Sequence, residues 1–506
     1  MKHGTATASR ASGNLSSGNP TTQTIAIAGA SGFVGQALLA QLEKSSSNLK
    51  VIALTRREVS SQIDDESSRL EWRRADLFSL KQAETAVAGA DTGIWLIHSM
   101  QPQARLVQGS FADIDLLLAD NFARACRSQG IKRIIYLGGI IPDAELSAHL
   151  KSRREVEGAL ASTGIPVTTI RAGLVVGPGG SSWNIMERLV RRLPIMVCPA
   201  WTTTRGQPVY IDDVTRAIAQ VCEDRTFPNG SFDIGGSEQL TYIDMLRRVA
   251  RILGRNRLFL NVPLFTVGLS RLWVSLVTQS PRELVQPLIQ SLKHPMLVRP
   301  EADIAKFLAF TPRGFTEAVS ATTSPSRAVE VSPTPRSATT TALSHRLRRE
   351  PQSLVFSIQR LPAPPGHDAA WIALEYGRWL VKFLYPFMRV EQSPEGHLSF
   401  KLRIPWISDI ELLMLSYSVD RSTTKRQLFY IDGGILAAGR GRSDTVRGRL
   451  EFRIVNNGSE VLASIIDFAP ALPWWIYTLT QAKAHLWVMR NFGRHLKRLQ
   501  ERTSES

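Results

Sequence analysis

Three glycines spaced three residues apart follow the first apolar run of the chain. They lie in Gly29-Ala30-Ser31-Gly32-Phe33-Val34-Gly35, directly after Ile25-Ala26-Ile27-Ala28, and a helical pattern begins in this loop. Glycines permit a tight turn, and the free amide groups at the start of the following helix can bind an anionic diphosphate. The order strand, loop, helix therefore predicts a dinucleotide-binding site, with a glycine turn that serves packing alone as the alternative.

Two arginines follow the second apolar run, in Leu54-Thr55-Arg56-Arg57, ahead of the first carboxylate, Glu58. In a dinucleotide-binding strand–loop–helix fold, the carboxyl end of the second strand faces the adenosine ribose. An arginine there pairs with the 2′-phosphate of NADP, whereas an acidic residue binds the 2′-hydroxyl of NAD. We therefore expect NADP(H) rather than NAD(H), with a solvated basic loop as the alternative. Asp76 follows the third apolar run and is expected either to contact the adenine edge or to cap a helix.

The elements that must position these residues alternate between short β-rich runs and helical stretches from Thr24 to about Gly236. The predicted strands are Ile25–Ala28, Val51–Thr55, Leu70–Ala75, Ile94–Ile97, Arg133–Leu137 and Val167–Ile170. Helical segments lie between them, such as Gly35–Glu43, Leu80–Val87 and Asp113–Ser128. This alternation predicts an α/β fold, a Rossmann-type doubly wound parallel sheet with helices on both faces.

Composition divides the 506 residues further. We predict a disordered tail (1–20), an NAD(P)-binding domain with its substrate region (21–312), a Ser/Thr/Pro-rich linker (313–350) and a smaller α+β domain (351–506). Five strands are predicted in the last domain: Leu398–Ile404, Leu412–Val419, Arg426–Ile431, Gly448–Val455 and Glu460–Ile466. A long helix is predicted to follow, from Pro473 to about Leu499.

The charge balance favours anionic partners, since 61 Lys and Arg face 44 Asp and Glu. No nucleic-acid-binding module is recognisable. The aromatic and basic residues of the C-terminal helix suit either core packing or peripheral contact with a membrane. The cysteines are Cys126, Cys198 and Cys222, and their spacing is not that of a metal site or a disulfide framework. We therefore expect three buried cysteines and no bound metal. Free cysteines also favour a cytoplasmic protein.

Several further motifs resemble those of the atypical short-chain dehydrogenase/reductase proteins, in the NmrA-like, NAD(P)-binding group. The motifs are Trp95-Leu96-Ile97-His98-Ser99-Met100, Tyr136-Leu137-Gly138-Gly139, His149-Leu150-Lys151-Ser152-Arg153, Arg171-Ala172-Gly173 and Gln207-Pro208-Val209-Tyr210-Ile211-Asp212-Asp213-Val214. The resemblance covers about Thr24 to Leu292. The region after Pro351 looks like an extra C-terminal domain, for which a helix-grip, START-like fold is suggested by analogy alone.

The resemblance implies a Rossmann fold with NAD(P)H bound along the strand ends. The residues that we expect to contact the cofactor are Gly29, Ser31, Gly32, Phe33, Gly35, Arg56, Arg57, Asp76, His98, Gly138 and Arg171.

The chain departs from the active members of that family at the catalytic pair. Those enzymes use a Tyr followed four residues later by a Lys, and here the corresponding residues are His149 and Arg153. The spacing still places both side chains on one helix face. The charge of Arg153 would keep His149 neutral, and a neutral imidazole can donate a hydrogen bond to a carbonyl. His149 and Arg153 are thus the candidate catalytic residues. Alternatively they only fix the helix and the cofactor.

These observations favour an NADP(H)-dependent oxidoreductase that acts on a small carbonyl or quinone. Apolar residues such as Ile185, Met186 and Met196 suggest a lipophilic substrate, although they suit a core equally well. A non-catalytic NADP(H) sensor that signals through the C-terminal domain is the alternative, and the missing tyrosine supports it. An epimerase-like activity on nucleotide sugars is a further alternative that also normally relies on that tyrosine.

Overall fold

The first sheet has seven parallel strands in the order β12-β7-β6-β4-β1-β2-β3. Its strands are β1 (Gln23–Ala28), β2 (Leu49–Thr55), β3 (Leu70–Arg74), β4 (Thr92–Trp95), β6 (Arg133–Gly139), β7 (Val167–Ala172) and β12 (Gly230–Ile234). The computed structural model describes residues 22–45, 49–57, 69–98, 106–143, 146–262, 294–324, 354–403, 409–437 and 447–505. The predicted disordered tail and most of the predicted linker lie outside these residues.

Helices cover both faces of this sheet, which is why its strands are continuous apolar runs. On one face lie α1 (Phe33–Lys44) and α6 (Ile211–Glu223), and on the other lie α2 (Leu80–Val87), α3 (Phe111–Ser128) and α4 (Ala148–Ala161). The two core clusters, one on each face, meet at the sheet. The doubly wound parallel fold predicted from the sequence is confirmed, and all three cysteines are buried as expected.

Smaller elements extend this domain beyond the carboxyl ends of the strands. They are β8 (Val175–Val176), β9 (Ile195–Pro199), β10 (Arg205–Gly206), β11 (Val209–Tyr210), β13 (Leu240–Thr241), β14 (Leu258–Val262), α5 (Ser181–Arg192) and α7 (Tyr242–Ile252). Helix α7 is capped by Thr241, whose hydroxyl accepts a hydrogen bond from the amide of Asp244 at 3.2 Å.

One predicted boundary is wrong. Helix α8 (Phe315–Thr323) lies inside the segment that composition predicts to be linker from residue 313. Its residues Phe315, Ala318 and Val319 are buried in the core cluster that also holds α7. A Ser- and Thr-rich composition suggests disorder, but the spacing of these three residues gives the segment one apolar face that can pack.

The C-terminal part is built on an antiparallel sheet in the order β16-β17-β18-β19-β20-β21-β15. Its strands are β15 (Val355–Pro362), β16 (Met388–Gln392), β17 (Leu398–Leu402), β18 (Ile410–Tyr417), β19 (Arg426–Gly433), β20 (Arg449–Val455) and β21 (Glu460–Phe468). The helices are α9 (Ala369–Phe383), α10 (Trp474–Leu479) and α11 (Gln481–Glu505). The predicted α+β class is confirmed, whereas β15, α9 and β16 were not predicted. A helix-grip arrangement stays a prediction.

The predicted C-terminal helix is interrupted at Thr480, between α10 and α11. Met489, Phe492 and Leu496 of α11 pack into the core of the C-terminal part, while Trp475 and Trp487 are exposed. Core packing therefore accounts for part of the aromatic and apolar content of this region. Peripheral membrane contact stays a prediction. Among the residues described, no helix is both long and apolar enough to cross a bilayer.

The N-terminal and C-terminal parts share one hydrophobic core cluster, and a strand of the first pairs with the edge strand of the second. Strand β5 (Leu106–Gln108), which lies between β4 and α3 in the chain, pairs in parallel with β15. Phe356 and Ile358 of β15 are buried in the same cluster as Phe122 of α3. The C-terminal sheet therefore lies between the α2–α4 layer on one face and α9 with α11 on the other.

Buried charges join the same two parts. The guanidinium of Arg453 donates to Asp120 of α3 at 2.6 Å and to Glu451 at 2.6 Å, and Arg453 is 1% exposed. Glu451 also receives both hydrogen bonds of a bidentate pair with Arg426. Burial alone would raise the pKa of Glu451, but Arg426 and Arg453 outweigh it and hold the carboxyl ionised.

Candidate functional site

The glycine loop joins β1 to α1 with no room for side chains at its key positions. Gly29 has φ +92°, a left-handed conformation that favours glycine. A Cβ atom on Gly35 would lie 2.2 Å from the carbonyl oxygen of Gly29. Gly32 precedes α1, and no side chain of a described residue caps this helix. The amide groups at the start of α1 are thus presented to a loop whose backbone a diphosphate can approach.

Ser31 and Gly32 are exposed on this loop, as expected for residues that contact a ligand. Phe33 is placed differently, because its ring packs against the Gly177–Gly180 turn. A Cβ atom on Gly180 would meet that ring at 3.0 Å. The aromatic side chain therefore packs against a neighbouring turn.

The carboxyl end of β2 presents two exposed cations. Arg56 and Arg57 make no ion pair with any residue in the described part of the chain. Asp76, beyond β3, accepts a hydrogen bond from the amide of Phe78 at 3.2 Å. The cap of α2 is Ser79 instead, so the helix-cap alternative for Asp76 is wrong.

A buried ion pair lies near the point where β4 ends. Arg153 of α4 donates to a carboxylate oxygen of Asp115, on α3, at 2.9 Å, and their side chains are 6% and 1% exposed. The same nitrogen of Arg153 contacts Nδ1 of His98, the residue that follows the end of β4 by three positions. Nδ1 of His98 also lies 3.4 Å from a carboxylate oxygen of Asp115, so this ring nitrogen contacts both members of the ion pair.

His149 completes this cluster from the first turn of α4. Its ring centroid lies 4.9 Å from that of His98, and no described residue is hydrogen-bonded to its buried Nδ1. Loss of solvent around the ring, with the charge of Arg153 second, lowers the pKa of His98 to about 4, although Asp115 opposes this and the side chain keeps 34% of its exposure. Burial, His98 and Arg153 lower the pKa of His149 well below its usual value. Both imidazoles are therefore neutral near pH 7, as the sequence predicted for His149.

The glycine loop and this cluster are neighbours. A Cβ atom on Gly29 would lie 3.0 Å from the backbone carbon of Leu96, two residues before His98. Parallel strands β1 and β4 pair directly, so their carboxyl ends open onto the same cleft. The cradle left by Gly29 and Gly35 fits a dinucleotide, and a ligand bound there would have the strand end that precedes His98 beside it.

Other predicted site residues have structural partners. Arg171 forms a bidentate ion pair with Glu157 at 2.9 and 3.0 Å, and Ser231 also binds that carboxylate. A Cβ atom on Gly138 would lie 3.0 Å from the ring of Tyr136. Tyr136 is fully buried and donates to the carbonyl oxygen of Arg153 at 3.2 Å. Tyr136 is thus held away from solvent and supports α4.

Among the apolar residues that suggested a lipophilic pocket, Met186 and Met196 are buried in a core cluster, and Ile185 packs against that cluster. Asp115 is the residue that sequence reasoning missed. It lies in the apolar stretch of α3, Phe111-Ala112-Asp113-Ile114-Asp115-Leu116-Leu117-Leu118, and an acid at a core position of an amphipathic helix was the available signal.

Comparison with known proteins agrees with this geometry. A family model described as NAD(P)H-binding matches residues 29–189. Sanguinarine reductase of Eschscholzia californica is 25% identical over 256 residues, which cover 43% of this chain and 90% of that protein. Auxiliary protein GraX of Staphylococcus aureus is 27% identical over 121 residues, 24% of this chain, and the chain spans only 38% of the length of GraX.

Among solved structures, the NADPH complex of the quinone oxidoreductase QOR2 of Escherichia coli is 16% identical, with a TM-score of 0.47. The match covers 59% of this chain and 99% of that one. The N-terminal part of the chain is an NAD(P)H-binding domain of the Rossmann type. It is extended by a C-terminal antiparallel-sheet domain that packs onto its α2–α4 layer.

Proposed function

We propose that the chain is an NADP(H)-dependent oxidoreductase that transfers a hydride to a small, lipophilic quinone or carbonyl, in the manner of an atypical short-chain reductase. One observation carries this proposal. The neutral imidazoles of His98 and His149 stand beside the buried Arg153–Asp115 pair, at the strand end that adjoins the glycine loop. Perturbed, coupled groups in a cleft next to a dinucleotide-binding loop are typical of catalytic sites.

The preference for NADP(H) over NAD(H) rests on Arg56 and Arg57. Both cations are exposed at the carboxyl end of β2, and neither has an ion-pair partner among the described residues. A 2′-phosphate would supply the missing anion, and arginine binds phosphate in a bidentate manner. We therefore expect NADPH to bind more tightly than NADH.

The low pKa of His149 limits the substrate class. Bound NADPH supplies a hydride. A neutral imidazole of low basicity can donate a hydrogen bond to the acceptor oxygen, but it is seldom protonated and is a poor source of a proton near pH 7. This favours an acceptor whose product is stable as an anion. A quinone that accepts a hydride becomes a hydroquinone monoanion, which then takes one proton from water.

Turnover can be measured from the loss of reduced-nicotinamide absorbance with a panel of quinones and aldehydes. We expect quinones to be reduced faster than aldehydes, and NADPH to be used in preference to NADH. His149→Phe should lower kcat/KM for a quinone by about tenfold or more, with an NADPH dissociation constant unchanged within about twofold. His367→Phe is the control, since His367 is an exposed residue of the C-terminal part.

A non-catalytic NADP(H) sensor is the second candidate. The usual tyrosine is replaced by His149, and Arg153 is engaged by Asp115 rather than exposed in the cleft. The C-terminal sheet also contacts α3 and α4 directly, which offers a route for a signal. Saturable NADPH binding without turnover of any acceptor would favour the sensor. If calorimetry shows no binding of NADPH, NADH or their oxidised forms, both proposals fail.

A further inference from the structure

A cavity of about 620 Å³ lies in the C-terminal part, between helix α9 and strands β16–β19. This volume falls within the range of small-molecule binding sites. Its lining is mainly apolar, and the buried side chains of Leu398 and Phe429 form part of its wall. None of the residues that line it belongs to the glycine loop or to the histidine cluster, so it is a separate site.

Small residues of α9 create this space. Ala370, Ala373 and Gly377 lie on the helix face that lines the cavity, with the spacing of one helical stripe. A Cβ atom on Gly377 would have no heavy atom within 4 Å. The neighbouring layer is packed instead: Tyr376 of α9 and Phe492 of α11 have ring centroids 5.1 Å apart. The gap is therefore confined to one side of α9 and is not general loose packing.

Two cations also line the cavity. Arg378 and Lys382 are four residues apart on α9, and both are exposed, so they lie where the cavity meets solvent. Neither has a hydrogen-bond or ion-pair partner in the described part of the chain. No carboxylate is found among the residues that line the cavity. An apolar wall with two unpaired cations complements a molecule that has an apolar body and one anionic group.

We propose that this cavity binds an amphipathic organic anion, an apolar chain or ring system that carries a single carboxylate. The apolar body lies against Leu398 and Phe429. The carboxylate is bound by Arg378 and Lys382. Binding is saturable and does not require a nicotinamide dinucleotide.

Titration calorimetry of the full chain with decanoate, at concentrations below micelle formation, tests this site. The neutral analogue decanol is titrated in parallel. We expect saturable binding of decanoate and weaker binding of decanol. Arg378→Gln with Lys382→Gln should weaken decanoate by about tenfold or more, as expected for lost charge-assisted hydrogen bonds, and leave decanol nearly unchanged. Lys81→Gln with Arg251→Gln, two exposed cations of the Rossmann-type part, is the charge control.

A second variant tests the cavity itself. Gly377→Leu should fill the space and abolish decanoate binding while the melting temperature is kept or raised, because a helix-interior glycine is replaced. Gly158→Leu is the matched control, since Gly158 is also a helical glycine and a Cβ atom there would likewise have no heavy atom within 4 Å. The control should bind decanoate like the parent chain.

Three results would overturn the proposal: no saturable decanoate binding, decanoate binding that survives in Gly377→Leu, or decanol binding as tight as decanoate. If Gly377→Leu fails to fold, Ala370→Leu is tested in its place. Ala370 is half-buried, lies on the same helix stripe and also lines the cavity. Retained binding in that folded variant would overturn the proposal equally.

Discussion

His98 and His149 lie against each other in a site that contains a fixed positive charge, Arg153, and a fixed negative charge, Asp115. The carboxylate neutralises Arg153 in the buried pair, and burial then decides the state of the imidazoles. A tyrosine at position 149 would have to lose its proton to act as a base, whereas a neutral imidazole has an unprotonated nitrogen that can accept a proton directly. The replacement therefore changes the pH dependence of the site rather than only its shape.

This arrangement predicts a pH-dependent stability. The folded-state pKa of His98 is about 4, below the unfolded value of 6.5, so between these values the unfolded chain binds more protons. The free energy of unfolding should therefore fall as the pH is lowered from 6.5 toward 4. His149 contributes in the same direction.

Urea unfolding between pH 5 and 7 measures this slope, in a range where most carboxyl groups remain ionised. His98→Gln should flatten the slope, and His367→Gln, at an exposed position, should leave it unchanged. A slope that is identical in His98→Gln and the parent chain would contradict the assignment of a depressed pKa to His98.

At the scale of elements, the contact between α1 and the glycine loop depends on Gly35. A methyl group at this position would overlap the carbonyl oxygen of Gly29, so α1 would have to shift away from the loop. We expect Gly35→Ala to weaken NADPH binding severely, by a hundredfold or about 2.7 kcal/mol, as measured by calorimetry. Gly158→Ala lies in an open part of α4 and should bind NADPH normally. Normal binding by Gly35→Ala would contradict the assigned role of the loop.

Sequence patterns predicted most elements of the Rossmann-type part, because buried parallel strands are continuous apolar runs separated by helices of clear amphipathic period. The sequence patterns failed where an element is stabilised by residues that are distant in the chain. Strand β5 has three residues and no pattern of its own, and its partner β15 comes after the linker. Helix α8 was obscured by its Ser and Thr content.

The same limit applies to the candidate site. The glycine loop was evident from spacing, whereas His98 and the pair His149 and Arg153 came from the resemblance. The interaction of Arg153 with Asp115 was not predicted, because it joins two helices through a contact that only the packing of α3 against α4 creates. Arg171 was expected at the cofactor, and its ion pair with Glu157 of α4 was not predicted.

At the scale of the whole molecule, the C-terminal sheet is fixed to the Rossmann-type part by buried charges. Arg360 of β15 donates to Asp113 of α3 at 2.7 Å and to Glu155 of α4 at 2.9 Å. Each of these acids is two residues from a member of the Arg153–Asp115 pair. The C-terminal part therefore constrains α4, which carries the candidate catalytic residues, and α3, which carries Asp115.

This coupling predicts that the chain unfolds as one unit. We expect one calorimetric transition rather than two, and NADPH should raise its midpoint as a whole. Arg453→Gln should lower the free energy of unfolding by about 3–5 kcal/mol, because Glu451 and Asp120 would each lose one buried partner and would keep only their pairs with Arg426 and Arg124 among the described residues. Arg191→Gln removes an exposed pair with Glu187 and should cost less than about 1 kcal/mol. Two separate transitions, with only one moved by NADPH, would contradict the coupling.

Strand β5 also constrains how the chain can be made and divided. Strand β5 is synthesised long before β15. The growing polypeptide therefore carries β5 without its pairing partner until the C-terminal sheet has been synthesised. Neither half can therefore be exchanged for a foreign module at the linker without leaving an open strand edge. A graft that succeeds must carry residues 106–108 together with the C-terminal sheet.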